Sequence, residues 1–219
     1  MKTVNNYIEH TILKPDATIA DIEKLAKDAL EYNFFGVCVN PCYISQVKDL
    51  LKNSQTKIVT VVNFPLANYT IGMIQKQTEE SLVLGADEID TVLNISAIKN
   101  KDYKKAEEDI KKTKEICKNN NLKVILETDL LTKEEIVIAC KCAINGGANL
   151  VKTSTGFVKN GIGATVEDVK LMHKTVSPMG LEVKASGGIK TYSQAIDLIN
   201  AGAMRLGTSS GVDIVLKKG

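Results

Sequence analysis

Two lysines stand in near-copies of one string, V-K-T-S-T-G around Lys152 and V-K-A-S-G-G around Lys184. Each is embedded in a short apolar, β-branched run, where an ammonium is costly to bury. One reading turns each lysine outward, solvated at an edge. The matched positions favour the other, in which both enter one pocket. Two ammonium groups in a low-dielectric pocket repel, so one gives up its proton more readily. A neutral amine attacks an aldehyde or ketone to form a Schiff base, while its charged partner stabilises charge or moves protons.

A third run reads A-D-E-I-D-T-V-L-N. Strand alternation puts Glu88 and Asp90 on one face and Ile89 on the other. Asp90 lies deep in the apolar run and needs a partner there. An ion pair with a strand lysine would supply it, and an acid/base role through water is compatible with that pairing. Two glycine-rich stretches follow other runs, Gly187-Gly188 and R-L-G-T-S-S-G ending at Gly211. Glycine lets backbone amides approach an anion, and a helix start favours negative charge. Gly207, Ser209 and Ser210 are therefore candidates for a phosphate cradle, unless the glycines serve only tight turns.

Metal chemistry is poorly supplied. The only histidines are His10 and His173, and the five cysteines, Cys38, Cys42, Cys117, Cys140 and Cys142, lack the spacing of a four-ligand zinc site. No metal or cofactor is expected. An odd cysteine count, with no signal-peptide core between Met1 and Lys14, points to reduced thiols and a cytoplasmic setting. Of Cys38 and Cys42, a buried inert role is favoured over a reactive one. The charge balance, 28 basic against 26 acidic residues, argues against nucleic acid as a partner. The basic stretch Lys99 to Lys118 is broken by Glu107, Glu108, Asp109 and Glu115 and reads as a solvated helix face. No apolar run is long enough for a membrane span.

The elements that must carry these residues alternate regularly. Eight strand-like runs are Tyr7–Leu13, Phe34–Val39, Lys57–Val62, Glu88–Leu93, Leu122–Glu127, Asn149–Thr153, Leu181–Lys184 and Ala203–Leu206. Helical patterns follow them at 18–32, 41–53, 70–84, 101–120, 132–145, 165–176 and 191–200, with a short last one from Val212. Thr18 with Asp21, Thr132 with Glu135 and Thr165 with Asp168 have capping-box spacing. Three helix ends share one motif, G-A-D-E-I, G-A-N-L-V and G-A-M-R-L, in which Gly-Ala leads into a strand. Eight such units without a composition break predict an α/β fold, a single (βα)8 TIM barrel over residues 1–219. A doubly wound sheet is the alternative, but no dinucleotide fingerprint follows the first strand. Numbered from Phe34–Val39, the lysines fall on the fifth and sixth strands and Asp90 on the third. The barrel places chemistry at the C-terminal strand ends, and anions at the loops after its last two strands.

The strings E-H-T-I-L-K-P-D-A-T, V-C-V-N-P, D-E-I-D-T-V-L-N, L-V-K-T-S-T-G-F, E-V-K-A-S-G-G-I and L-G-T-S-S-G occur in that order between Ile8 and Gly211. Together they resemble deoxyribose-phosphate aldolase. The resemblance implies a metal-independent, class I, Schiff-base-forming lyase of deoxyribose phosphate catabolism. It would cleave 2-deoxy-D-ribose 5-phosphate reversibly to D-glyceraldehyde 3-phosphate and acetaldehyde. By motif, Lys152 would form the Schiff base, Lys184 would lower its pKa and assist proton transfer, and Asp90 would serve the proton relay. Gly187, Gly188, Ser209 and Ser210 would bind the phosphate, with Thr155 and Gly207 as neighbours. The resemblance also implies a dimer or tetramer.

Departures from the family pattern stand out. Glu9 occupies a place where many members have Asp, which bears on any substrate contact there. Phe157 follows K-T-S-T-G where some members have a basic residue, so phosphate binding would rest on backbone amides. The sequence ends Leu216-Lys217-Lys218-Gly219, without the C-terminal tyrosine that some members carry. The competing readings are a sugar-phosphate isomerase or epimerase using Asp90 or Glu127 as base, a metal-dependent aldolase, and a non-catalytic sugar-phosphate sensor.

Overall fold

All eight apolar runs form strands in the computed structural model, which describes residues 3–217. They are β1 (Ile8–Ile12), β2 (Gly36–Val39), β3 (Lys57–Val62), β4 (Glu88–Val92), β5 (Asn121–Ile125), β6 (Leu150–Lys152), β7 (Glu182–Ser186) and β8 (Ala203–Thr208). Each pairs in parallel with its sequence neighbours, and β8 pairs with β1, closing a barrel. Because Tyr7–Leu13 does contribute β1, the lysines lie on β6 and β7 and Asp90 on β4. Each is one strand further along than the count begun at Phe34. The ends of the expected 1–219 domain, residues 1, 2, 218 and 219, lie outside the described residues.

The helices are α1 (Ile19–Glu31), α2 (Ile44–Leu50), α3 (Ile71–Leu84), α4 (Ile95–Lys99), α5 (Tyr103–Cys117), α6 (Lys133–Asn145), α7 (Val166–Val176), α8 (Tyr192–Asn200) and α9 (Gly211–Val215). Thr18 and Thr132 form the expected capping boxes with Asp21 and Glu135. Thr165 accepts from the Asp168 amide, but its hydroxyl, not its backbone N–H, reaches the Asp168 carboxylate. The short α4 was not foreseen. Its five residues are too few to show a period, and Asn94, whose side chain accepts from the Ala97 amide, is its only start signal. At the end of α3, Gly85 takes φ +117°, the left-handed state that the Gly-Ala motif predicted.

Strand alternation sorts side chains into two environments. Ile58, Ile89, Leu122, Val124, Val151, Val183 and Leu206 pack outward against the helices in one continuous apolar shell. Each such side chain contributes about 1.5–3 kcal/mol by leaving water. Leu13 just after β1, Cys38 on β2 and Val59 and Val61 on β3 form a separate small cluster, with Phe64 against it. On β4–β7 that inner phase carries charge, Glu88, Asp90, Lys123, Lys152 and Lys184, among the apolar Val92, Ile125 and Leu150.

Candidate active site

Register brings the charged positions together. Asp90 pairs across β4–β5 with Lys123, and Lys152 pairs across β6–β7 with Lys184. The ladder between β7 and β8 slips at Val183/Lys184, a local irregularity of the kind that re-aims a side chain. Gly207 faces this point. A Cβ there would lie 3.0 Å from Lys184 Cε, so its lack of a side chain leaves room for the lysine.

One carboxylate organises the centre. Asp90 Oδ2 accepts from Lys152 Nζ at 2.8 Å and from Lys184 Nζ at 2.8 Å. Its Oδ1 accepts from Lys123 Nζ at 3.0 Å. Lys184 also donates to Glu9, and Lys123 reaches Glu88 at 2.6 Å and Glu9 at 3.4 Å. Three lysine amines and three carboxylates are thus packed inside the barrel, and Asp90, Lys123, Lys184 and Glu9 are fully buried.

The electrostatics follow from this pairing. Burial alone would raise the Asp90 pKa, but Lys123, Lys152 and Lys184 together hold it well below the carboxylate range. Burial would lower Lys184, yet Asp90 and Glu9 outweigh it and keep that ammonium protonated beyond the ordinary lysine range. Lys123 is raised in the same way, against its burial, by Asp90 and Glu9. Glu88 is lowered despite its burial, by Lys123. Asp90 therefore stands between the two lysines as their shared anion, where the sequence suggested two ammonium groups facing each other.

Above the cluster opens a cavity of about 770 Å3, with Lys152 in its lining. Lys184, Asp90 and Lys123 lie beneath and do not reach its wall. Gly187, Gly188, Gly207, Ser209, Ser210 and Thr155 all line it. The loops are laced together. Thr153 Oγ1 donates to the Ser186 carbonyl and accepts from the Ser186 amide, and Ser186 Oγ donates to the Ser154 carbonyl at 2.6 Å. Thr208 Oγ1 donates to the Ile189 carbonyl and accepts from the Ser210 amide. Gly187 and Gly188 both take positive φ, +88° and +74°. A Cβ on Gly188 would fall 2.8 Å from the Ile162 carbonyl oxygen.

One expected role needs revision. Thr155 borders the cavity, but its amide and hydroxyl both donate to Glu127, so its donors are already engaged. The same two bonds tie down Glu127, the alternative base, whose carboxyl is raised by burial. Phe157 packs at right angles to Phe64, ring centroids 5.3 Å apart, and brings no charge to the cavity. Glu9 is fully buried on Lys184 and Lys123 and does not line the cavity, so it balances charge rather than touching substrate. Cys38 is buried and its thiol is raised by burial, whereas Cys42 is exposed. No group of His, Cys, Asp and Glu placed to hold a metal ion occurs among the described residues.

Lys123 was passed over in the sequence. Its signal was the one that marked the other two lysines, a lone charge in an apolar run, here N-L-K-V-I. It lacked only the glycine-rich string that follows them. Among the described residues no helix is long and apolar enough to cross a membrane.

The chain as a whole is similar to known proteins. A protein from Clostridium kluyveri named deoxyribose-phosphate aldolase is 50% identical over 218 residues, spanning 99% of both chains. One of the same name from Mycoplasma capricolum is 49% identical over 215 residues, 98% of this chain and 96% of that one. Among solved structures, the aldolase QR15 superposes with a TM-score of 0.92 at 36% identity, covering 99% of this chain and 96% of that one. The tetrameric deoxyribose phosphate aldolase from Aeropyrum pernix does so with 0.87 at 30% identity, covering 97% and 89%. The model of the DeoC/LacD aldolase family matches residues 4–217, from just before β1 to just past α9 and so across every strand of the lysine-bearing barrel, and the chain belongs to that family.

Proposed function

We propose that the chain is a class I aldolase that reversibly cleaves 2-deoxy-D-ribose 5-phosphate to D-glyceraldehyde 3-phosphate and acetaldehyde. The observation that carries this reading is Lys152 on the cavity lining with its nitrogen 2.8 Å from the carboxylate that it shares with Lys184. Membership in an aldolase family and the names of the half-identical relatives support the substrate.

The uncharged amine of Lys152 adds to the C1 aldehyde of the open-chain sugar. Loss of water leaves an iminium, which is the electron sink. A water at the cavity floor beside Lys152, backed by the buried Asp90–Lys184 pair, takes the C3 hydroxyl proton, and the C2–C3 electrons move to the iminium as the bond breaks. Glyceraldehyde 3-phosphate leaves. The enamine is protonated at C2, and hydrolysis returns acetaldehyde and the free amine. With Lys152 uncharged, Lys123 and Lys184 face three carboxylates. A cationic nitrogen at Lys152 completes the balance, and the iminium is such a cation, so the buried cluster stabilises the intermediate. Neither a metal nor a cofactor enters this scheme.

The phosphate would sit against Gly187, Gly188, Ser209 and Ser210, with Thr155 and Gly207 shaping the wall. Five unpaired cysteines support a reducing, cytoplasmic setting, and the tetrameric relative supports a homo-oligomer, dimer or tetramer. The test is coupled detection of both products from 2-deoxyribose 5-phosphate. Release of triose phosphate and acetaldehyde in equal amounts by the wild type, and by no Lys152→Arg sample, is the expected result. Turnover by the arginine variant would refute the mechanism.

A further inference from the structure

The turn at Gly187-Gly188 does not hold its own shape. Both residues sit at positive φ, and their backing is another loop. Gly163, itself at φ +80°, lies so close that a Cβ on it would be 2.5 Å from the Gly187 carbonyl. The Ala164 amide donates to the Gly187 carbonyl at 3.1 Å. The Ile162 carbonyl oxygen lies only 2.8 Å from where a Gly188 Cβ would be. The backing loop is fixed in turn by one carboxylate. Asp129 Oδ1 accepts from the Ile162 amide at 2.9 Å, and its Oδ2 accepts from the Gly163 amide at 3.0 Å. Asp129 follows β5, two residues after Glu127, which grips the start of the same loop at Thr155.

We propose that Asp129 is a positioning residue for phosphate recognition: by holding Ile162 and Gly163 it presses the 161–164 backbone onto Gly187-Gly188 and fixes the turn that faces the phosphate. This rests on the phosphate subsite proposed above. Asp129 does not line the cavity, so it touches neither the reacting carbons nor the phosphate. Its two bonds are charge-assisted, the one from Ile162 exposed and the one from Gly163 half-buried. Removing them frees a loop and leaves the buried lysine cluster in place.

The experiment compares 2-deoxyribose 5-phosphate with unphosphorylated 2-deoxyribose, using inorganic phosphate as a competitive inhibitor. For Asp129→Ala, KM for the phosphorylated sugar is expected to rise about tenfold, equivalent to about 1.4 kcal/mol. Inhibition by inorganic phosphate should weaken by a similar factor. Its kcat on the phosphorylated sugar, and its kcat/KM on 2-deoxyribose, should stay at wild-type values. Asp129→Asn keeps one accepting oxygen and should recover most of the loss. Gly163→Ala, which disturbs the same contact from the other side without changing charge, should reproduce the alanine signature.

Equal losses on both sugars would overturn the proposal, as would a fall in kcat at constant KM or unchanged kinetics on both. The wild type separates this failure from that of the underlying reading. Equal kcat/KM for the two sugars, without inhibition by inorganic phosphate, would remove the phosphate subsite and the clamp together.

Discussion

Replacing Lys123 with methionine isolates the claim that the buried cluster is held by balanced charge. Lys123 lies between Glu88 at 2.6 Å, Asp90 at 3.0 Å and Glu9 at 3.4 Å, with its whole side chain out of water. Methionine fills nearly the same volume, so the change removes charge and leaves little cavity. Three carboxylates would then share Lys152 and Lys184, and Glu88 would keep only the amide of Asn121, at 2.8 Å. Breaking a buried ion pair from one side costs about 3–5 kcal/mol. In a chain of this size each kcal/mol lowers Tm by about 2–4 °C. The expected fall is about 6–20 °C, measured by circular dichroism melting at pH 7 and checked by urea unfolding. Glu88→Gln in the same chain removes the orphaned charge and should restore at least half of the loss. A Lys123→Met variant that melts within about 2 °C of the wild type would refute the reasoning, because the carboxylates would then not need their third cation. So would a double variant whose loss equals the sum of the singles.

Three further outcomes follow from the same geometry. Lys184→Met removes the ammonium shared with Asp90 and Glu9, and kcat should fall about 10²–10⁴-fold in the coupled aldolase assay. Lys152→Arg keeps a cation beside Asp90, so inorganic phosphate should still raise its Tm although turnover is lost. The pH dependence has two edges. Asp90 and Glu88 are depressed in the fold, so their stabilisation is present above the unfolded carboxylate values near ~4 and is lost as acid protonates them. Lys184 and Lys123 are raised, so theirs is present below the unfolded lysine value near ~10.4 and is lost as pH climbs through their folded values. Burial holds His10 low and the buried thiols high, so urea midpoints should be flat only from about pH 7 to 8 and drop on both sides; a steady slope across that window would contradict the pairing.

Much of the barrel was legible because its signals are local. Thr18 with Asp21 and Thr132 with Glu135 mark helix starts, and Gly85 ahead of a strand marks an end. The β7 and β8 runs extend past the expected Lys184 and Leu206, to Ser186 and Thr208. The ladder continues there through Ser186 and Gly207, residues with weak strand preference that tertiary pairing overrides. Lys152, Lys184 and Asp90 were recognisable as charges in apolar strands. Their meeting at a single oxygen was not, because it depends on register across four strands. Lys123 and Glu9 joined them only once the barrel closed. Asp129 was less legible still, since its partners lie 33 and 34 residues away in a loop without periodicity.

The central claim is a covalent bond at one nitrogen. Borohydride reduction of the protein incubated with acetaldehyde or 2-deoxyribose 5-phosphate, followed by digestion and peptide mass analysis, tests it most directly. The account predicts a reduced adduct on the peptide bearing Lys152, absent without aldehyde and absent from Lys152→Arg. An adduct on Lys184 in its place would contradict the assignment of the two lysines. No adduct on either, in folded protein that still binds phosphate, would contradict Schiff-base chemistry altogether.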